Sequence, residues 1–448
     1  MKKRNTKTTT LSRRGFLKAT AVTAAGAAFG FPYVITSSVR GADAPSNKIT
    51  IGCIGTGRMG VIDIKEILGF DQTKIVALCD IDSKRLKSAQ QIVEQHYSSQ
   101  KEDGSYKGCA IHKDFRDLVA RKDIDAVSIT SVDHWHALHA LAAVKAGKDV
   151  FLQKPMTLTF EEGRILSDTA RRYGCIFQVG IQQRSDTRFR FACELVRNGR
   201  IGKLHTIKVG IPEDIGTNVQ TTMPVPENLD YDMWLGPTPL ALYTEARVHP
   251  QNGYGRPGWL RISDYCCGMI TAWGVHHNDI AQWGMGTEYT GPVEIDGHAE
   301  YPKEGLWDVH GKFHIEYTYA NGVKVICAGN TENKQGIVFE GTDGWVYVKR
   351  GYIDAHPKSL LTSAIKPGEI HLYKSNNHKG NFFDCIKSRA ETIAPVEIGH
   401  RSTTMCILGF IAMMLGRKLK WNPEAERFIN DAEADRMLAR PMRSPWCL

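Results

Sequence analysis

The chain has 448 residues, 42% hydrophobic and 23% charged, which gives room for two or three domains with ample cores and excludes a disordered or fibrous protein. Its formal charge of +9 is local: residues 1–44 hold eight of the 57 Lys and Arg against one of the 48 acids, leaving about +2 elsewhere. With no dense basic run and no aromatic–basic interleaving in that remainder, nucleic acid is not an expected partner.

The basic start reads as an address. Ser12-Arg13-Arg14-Gly15-Phe16-Leu17-Lys18 precedes a weakly apolar stretch rich in Ala, Gly and Thr, and Ala42-Asp43-Ala44 offers a small-x-small cleavage site. The pattern resembles a twin-arginine (Tat) signal, cleaved after Ala44. It predicts a periplasmic or otherwise exported protein that meets the Tat export machinery already folded. The segment is too poor in Leu and Ile to make a strong anchor, and the later apolar run Cys406–Leu415 is too short to span and reads as a buried helix. The eleven cysteines are odd in number, irregularly spaced and without C-x-x-C, which predicts free, mostly buried thiols.

A Rossmann dinucleotide-binding domain is expected over 45–155. "KITIGCIGTGRMG" (Lys48–Gly60) reads as strand, glycine turn and helix, with Gly55 making the turn, Gly57 admitting a pyrophosphate and Gly60 allowing close helix packing. Thr56, Arg58 and Met59 complete the loop. A second strand ends at Asp80, placed to accept hydrogen bonds from the adenosine ribose, with Ile81 beside it. The acid favours NAD, while Arg85 keeps NADP open. Further strands at Asp125–Ser131 and Asp149–Pro155 alternate with helices, the signature of a doubly wound parallel sheet. Ligands bind beyond the carboxyl ends of such strands, which puts Ser131 to His134, Gln153 and Lys154 on the cofactor crevice.

The rest, 156–448, alternates in period two around Asn-Gly and Asp-Gly turns, as antiparallel strands do. An irregular stretch rich in Pro and aromatics at 212–265 suits a substrate-side insertion, and tail helices are expected within about 381–415. No internal repeat is present.

Four stretches in order carry a resemblance: the glycine loop, "AGKDVFLQKPMTLTFEEG" (146–163), "FQVGIQQRSDTRFRFACELVRNGRIGKL" (177–204) and "GMITAWGVHHNDIAQWGMG" (268–286). They are similar to the Gfo/Idh/MocA oxidoreductases. The resemblance implies an α/β protein: a Rossmann domain plus a C-terminal α/β domain with a large open, mostly antiparallel sheet, assembled as a homo-oligomer. It also implies Lys154 and His276 as the catalytic pair, Lys154 polarising the reacting oxygen and His276 accepting its proton at an ordinary pKa near 6.5. Two positions depart from the family pattern. Gln153 stands where Glu is usual, and Ala272 where an Asp commonly lies one turn before the histidine.

On one continuous helix His276 and Asp279 share a face and His277 points about 100° away. A metal would need a third ligand such as His249 or His310, and no zinc-type spacing supplies one, so none is expected. Arg184, Trp234, Arg261, Asp264, Tyr265, His277 and Asp279 are the candidate substrate residues, with Arg188, Tyr231 and Trp259 behind them. The leading expectation is an exported NAD(P)-dependent oxidoreductase acting on a secondary hydroxyl of a sugar, glycoside or cyclitol. Free NAD is scarce outside the cytoplasm, so a tightly bound cofactor is expected. The alternatives are a redox-neutral glycosidase or lyase working through a transient keto-sugar, with Tyr265 as its extra base, and an inactive cofactor- or sugar-binding relative.

Overall fold

The structure, a computed structural model, describes residues 48–102, 106–214, 216 and 219–448. The export signal read in 1–44 lies outside them.

Apolar runs punctuated by glycine and capping acids build the first layer. Strand β1 (Ile49–Ile54) leads through the glycine loop into helix α1 (Arg58–Leu68). Strand β2 (Thr73–Cys79) is followed by α2 (Ser83–His96), whose N-cap Asp82 accepts from the backbone N–H groups of Lys84 and Arg85. Then come β3 (Ala110–His112), β4 (Ala126–Ile129), α3 (Asp133–Lys145) and β5 (Asp149–Leu152). Helix α4 (Phe160–Tyr173), held at its start by a Thr159–Glu162 capping box, returns the chain to β6 (Phe177–Val179). All six strands pair in parallel, in the order β3-β2-β1-β4-β5-β6. The parallel sheet thus continues beyond the boundary expected at residue 155, because β6 pairs Phe177 with Val150. A three-residue strand carries too little alternation to be assigned to a sheet from sequence.

After α5 (Thr187–Arg197), the second sheet is built from β7 (Leu204–Ile211), β8 (Glu294–Ala299), β9 (Phe313–Thr318), β10 (Lys324–Gly329), β11 (Gly336–Gly341), β12 (Gly344–Lys349), β13 (Tyr352–His356), β14 (Leu419–Asn422) and β15 (Arg427–Phe428). Its order is β13-β12-β11-β7-β10-β9-β8-β14-β15, antiparallel except where β7 runs parallel to β10. One face is buried, as β9 shows: Phe313, Ile315 and Tyr317 point inward and alternate with half-exposed His314, Glu316 and Thr318. Helices α5, α6 (Met269–Ala272), α7 (Gly274–Met285) and α9 (Val396–Leu415) cover that face, while α8 (His378–Ser388) packs on the first domain. Helix α9 is long and apolar enough to cross a membrane, yet 83% of that window is buried inside the protein, against β8 and α4. It is a core helix, longer than the ten-residue run suggested.

The segment expected at 212–265 is largely irregular and reaches back over the first domain. Ser83 N–H donates to Asn228 O (2.8 Å) and Asp230 N–H to Ile81 O (3.1 Å). All eleven cysteines are free thiols, buried except half-buried Cys175 and exposed Cys447.

Candidate active site

A cleft of about 750 Å³ opens beyond the carboxyl ends of β1, β2, β4 and β5, between the two domains. The glycine loop forms one wall, and its three glycines behave differently. Gly55 has φ +90°, and a side chain there would meet Thr130 C at 2.6 Å. A Cβ on Gly57 would meet nothing within 4 Å, so this backbone faces open cleft. A Cβ on Gly60 would sit 2.1 Å from Gly55 O, which is the close helix–strand contact. Turn, open approach and tight packing together fit a dinucleotide pyrophosphate at the start of α1.

Gly55, Gly57, Arg58, Met59, Asp80, Ile81, Arg85, Ser131, Gln153 and Lys154 line this cleft, as expected from the strand-end rule. Thr56 is buried and braces it: its N–H and Oγ1 donate to Asp80 Oδ2 at 2.6 and 2.8 Å. Asp80 therefore fixes the loop as well as lining the cleft. Arg85 is held by Pro250 O (2.8 Å) and Gly253 O (3.3 Å) and lies over the Tyr254 ring. His134 is turned away from the crevice. Its Nε2 donates to Trp234 O (2.9 Å), and its ring packs on Trp234 and Tyr265. The helical turn of α3 instead presents Asp133, Trp135, His136 and His139.

Gln153 belongs to a buried network. Its Nε2 donates to both oxygens of Asp63 (3.1 and 2.9 Å), which also receives Lys379 Nζ at 2.7 Å. A Glu here would set a second carboxylate against Asp63, so the amide suits this neighbourhood.

Lys154 and His276 line the cleft from opposite domains. The stretch 268–286, expected as one helix, is in fact broken at Trp273 (φ −123°, ψ −36°). The N–H of His276 donates to Trp273 O (3.1 Å), and the Ala272 carbonyl accepts Lys154 Nζ at 2.7 Å. His276 is 4% exposed, and its Nδ1 has no hydrogen-bond partner. Burial, then the charges of Lys154 and Arg350, lower its pKa well below 6.5, so the ring is neutral rather than poised near neutrality as expected. Burial also lowers the Lys154 pKa, which Asp133 opposes.

Most of the expected substrate residues serve the fold. Arg184 and Asp279 form a fully buried bidentate pair (2.7 and 2.8 Å), completed by Ser402 Oγ at 2.7 Å. Asp279 thus does not orient His276. Neutral His277, its pKa pushed down to about 3 by burial, bridges Gln183 Oε1 (3.1 Å) and Trp273 Nε1 (3.2 Å). Arg261 pairs with Asp214 (3.0 Å) over Trp307. Asp264 is exposed, and buried Tyr265 accepts from Arg247 Nη1 (3.2 Å). Arg188 is exposed beside Asp186, and Tyr231 is buried. Trp234 does line the cleft, with Trp259, Arg256, Trp273 and Arg350. Alternation cannot show Arg256 and Arg350, because they come from an irregular loop and a hairpin turn. Asp133 did have a signal, its position just past the end of β4.

Residues 49–181 match the oxidoreductase family's NAD-binding Rossmann fold, and 213–448, more than half of the chain, match the Gfo/Idh/MocA C-terminal alpha/beta domain. A myo-inositol 2-dehydrogenase of Thermotoga maritima is 28% identical over 183 residues, 40% of this chain and 47% of that protein. A glycosyl hydrolase family 109 protein of Shewanella amazonensis is 33% identical over 207 residues, 43% and 44% of the two chains. These matches span about half or less of each relative's length. The WlbA dehydrogenase of Bordetella pertussis, solved with NADH and UDP-GlcNAcA, shares the fold: TM-score 0.61 at 16% identity over 84% of this chain and 99% of that one.

Proposed function

The chain belongs to the Gfo/Idh/MocA oxidoreductase family, and we propose that it oxidises or reduces a secondary hydroxyl of a sugar, glycoside or cyclitol. The observation that carries this reading is that Lys154 and His276 line the same cleft as the glycine loop. Bound NAD would supply the hydride acceptor for the carbinol carbon. Lys154 donates to the reacting oxygen and stabilises developing alkoxide charge, while Ala272 O holds its ammonium in place. His276, neutral at working pH, accepts the hydroxyl proton. Trp234, Trp259 and Trp273 offer apolar faces to the C–H surfaces of a sugar ring.

The twin-arginine pattern supports export with the nucleotide already in place. Tight retention is supported by the 226–257 segment, which grips α2 through Arg85 and through His249 on Asp82 (3.0 Å). With its guanidinium held by two carbonyls, Arg85 supports NAD over NADP. Assembly as a homo-oligomer rests on the family resemblance.

A redox-neutral glycosidase is the second reading, supported by the similarity to the family 109 protein. Tyr265 is not its base, since it is buried against Arg247 and outside the cleft. One experiment decides. The protein is purified, any bound nucleotide released and identified, and the protein incubated with cyclitols, sugars and p-nitrophenyl glycosides. Keto-product formation supports the dehydrogenase, and aglycone release without net NADH the glycosidase. Neither product points to a binding protein. Lys154→Ala and His276→Ala that leave every activity unchanged reject the site.

A further inference from the structure

Lys154 lacks acids where the family resemblance would place them. Gln153 is occupied by Asp63, and Ala272 offers a carbonyl without net charge. The other ionisable groups that bear on Lys154 from around the cleft are Arg350 after β12, Arg256 of the insertion, the Cys266 thiol, His136 of α3 and His276 of α7. The two arginines are cationic and the two imidazoles neutral. An ammonium buried among them would tend to shed its proton.

One acid counters that tendency. Asp133 is the first residue of α3, directly past the end of β4, and lines the same cleft. It is 3% exposed, and its Oδ2 is buried without a hydrogen-bond partner. Val132 is the N-cap, so capping does not explain the carboxylate. An orphaned buried carboxylate oxygen is costly and calls for a reason. The helix N-terminus favours its ionised form. Its ionisable neighbours are Lys154, the thiol of Cys266, which hydrogen-bonds the carboxyl, and the thiol of Cys267.

We propose that Asp133 is the positioning carboxylate of the site, keeping the Lys154 ammonium charged at the reacting oxygen in place of the acids absent at 153 and 272. The carboxyl itself is pushed up to about 7 by burial, with Lys154 pulling the other way, so it ionises across neutral pH. Its catalytic consequence rests on the proposed function; the coupling between the two charges does not.

The test reads Lys154 directly. The NAD-saturated protein is pulsed with acetic anhydride across pH 5–10, and acetylation of the Lys154 peptide is followed by mass spectrometry, with exposed Lys420 as internal control. In Asp133→Asn, Lys154 should label about tenfold faster at pH 7, since each unit of lowered midpoint gives tenfold more free amine. Asp133→Glu should restore slow labelling, and Lys420 should not change. The parent protein supplies a reading without any variant: Lys154 labelling should rise less steeply above pH 7, once Asp133 is ionised. Equal Lys154 labelling in parent and Asp133→Asn overturns the proposal, and so does a parent profile with no inflection near pH 7. If labelling shifts while no sugar or cyclitol is turned over, the coupling stands and the dehydrogenase reading falls. If turnover is present and labelling does not shift, the reverse holds.

Discussion

Lys154 Nζ donates to the Ala272 carbonyl at 2.7 Å across the two domains. That oxygen is free because the helix breaks at Trp273 and the His276 N–H turns to Trp273 O. A backbone carbonyl exposed by a helix break thus fixes the lysine at the point where an acidic side chain is missing. The same break sets His276 at the start of the second helix, facing the cleft.

Removing the ammonium should abolish transition-state stabilisation while sparing nucleotide binding. Lys154→Ala is expected to lower kcat by about 10²–10³, with NAD affinity within a few fold of the parent. Steady-state kinetics and a fluorescence titration with NADH measure the two effects separately.

The pH profile separates the histidine from the carboxylate. His276 is held well below 6.5, so its protonation should produce no limb near that value. Asp133, at about 7, is ionised above that pH, where its charge holds the proton on Lys154. kcat/KM should therefore hold through neutral pH and fall on the alkaline side, as Lys154 loses its proton. Asp133→Asn should move that alkaline limb to lower pH, and His276→Asn should lower the plateau without moving it.

The Arg184–Asp279 pair is structural, and breaking one side strands a charge in the core. Arg184→Met and Asp279→Asn should each cost about 3–5 kcal/mol, and Arg184→Met with Asp279→Leu should recover much of the loss. Urea unfolding with NAD absent measures this apart from catalysis.

The glycines of the loop should fail in different ways. Gly57→Ala adds a methyl where nothing lies within 4 Å, so the fold should survive and NAD binding weaken. Gly60→Ala drives a methyl to 2.1 Å from Gly55 O and should lower the melting temperature itself. Calorimetry of binding and thermal unfolding distinguish the two.

Acid should loosen the contact between α4 and the tail. Glu426 pairs with Arg164 at 2.7 Å, and the facing His400 (3.4 Å) and Arg164 lower its pKa from 4.5 to about 2 despite burial. A depressed carboxylate contributes stability above its unfolded pKa and loses it as pH falls through the folded one. The stability supplied by this pair should therefore decline from about pH 4.5 toward 2, and less steeply in Arg164→Met; urea midpoints across that range test it.

Local patterns made much of this protein legible. The spacing of Gly55, Gly57 and Gly60, the acid closing β2 and the strand–helix alternation all announce a nucleotide cleft. Strand ends past β4 and β5 point to Ser131, Gln153 and Lys154, because a parallel sheet presents those ends together. The substrate side was not legible in the same way. Arg184, Asp279 and His277 look like site residues by type, and only their buried partners reveal them as struts.

The amino-acid sequence determines by itself which segments bury an apolar face, where backbone must turn, and hence the two-layered fold with its crevice. Those are short-range choices, fixed by side-chain periodicity and glycine sterics. Tertiary structure alone decides which polar side chains reach the cleft and in what state of charge. Burial and facing charges set the latter, and the groups responsible lie far apart along the chain: Lys154 takes its anchor from Ala272, and His276 feels Arg350.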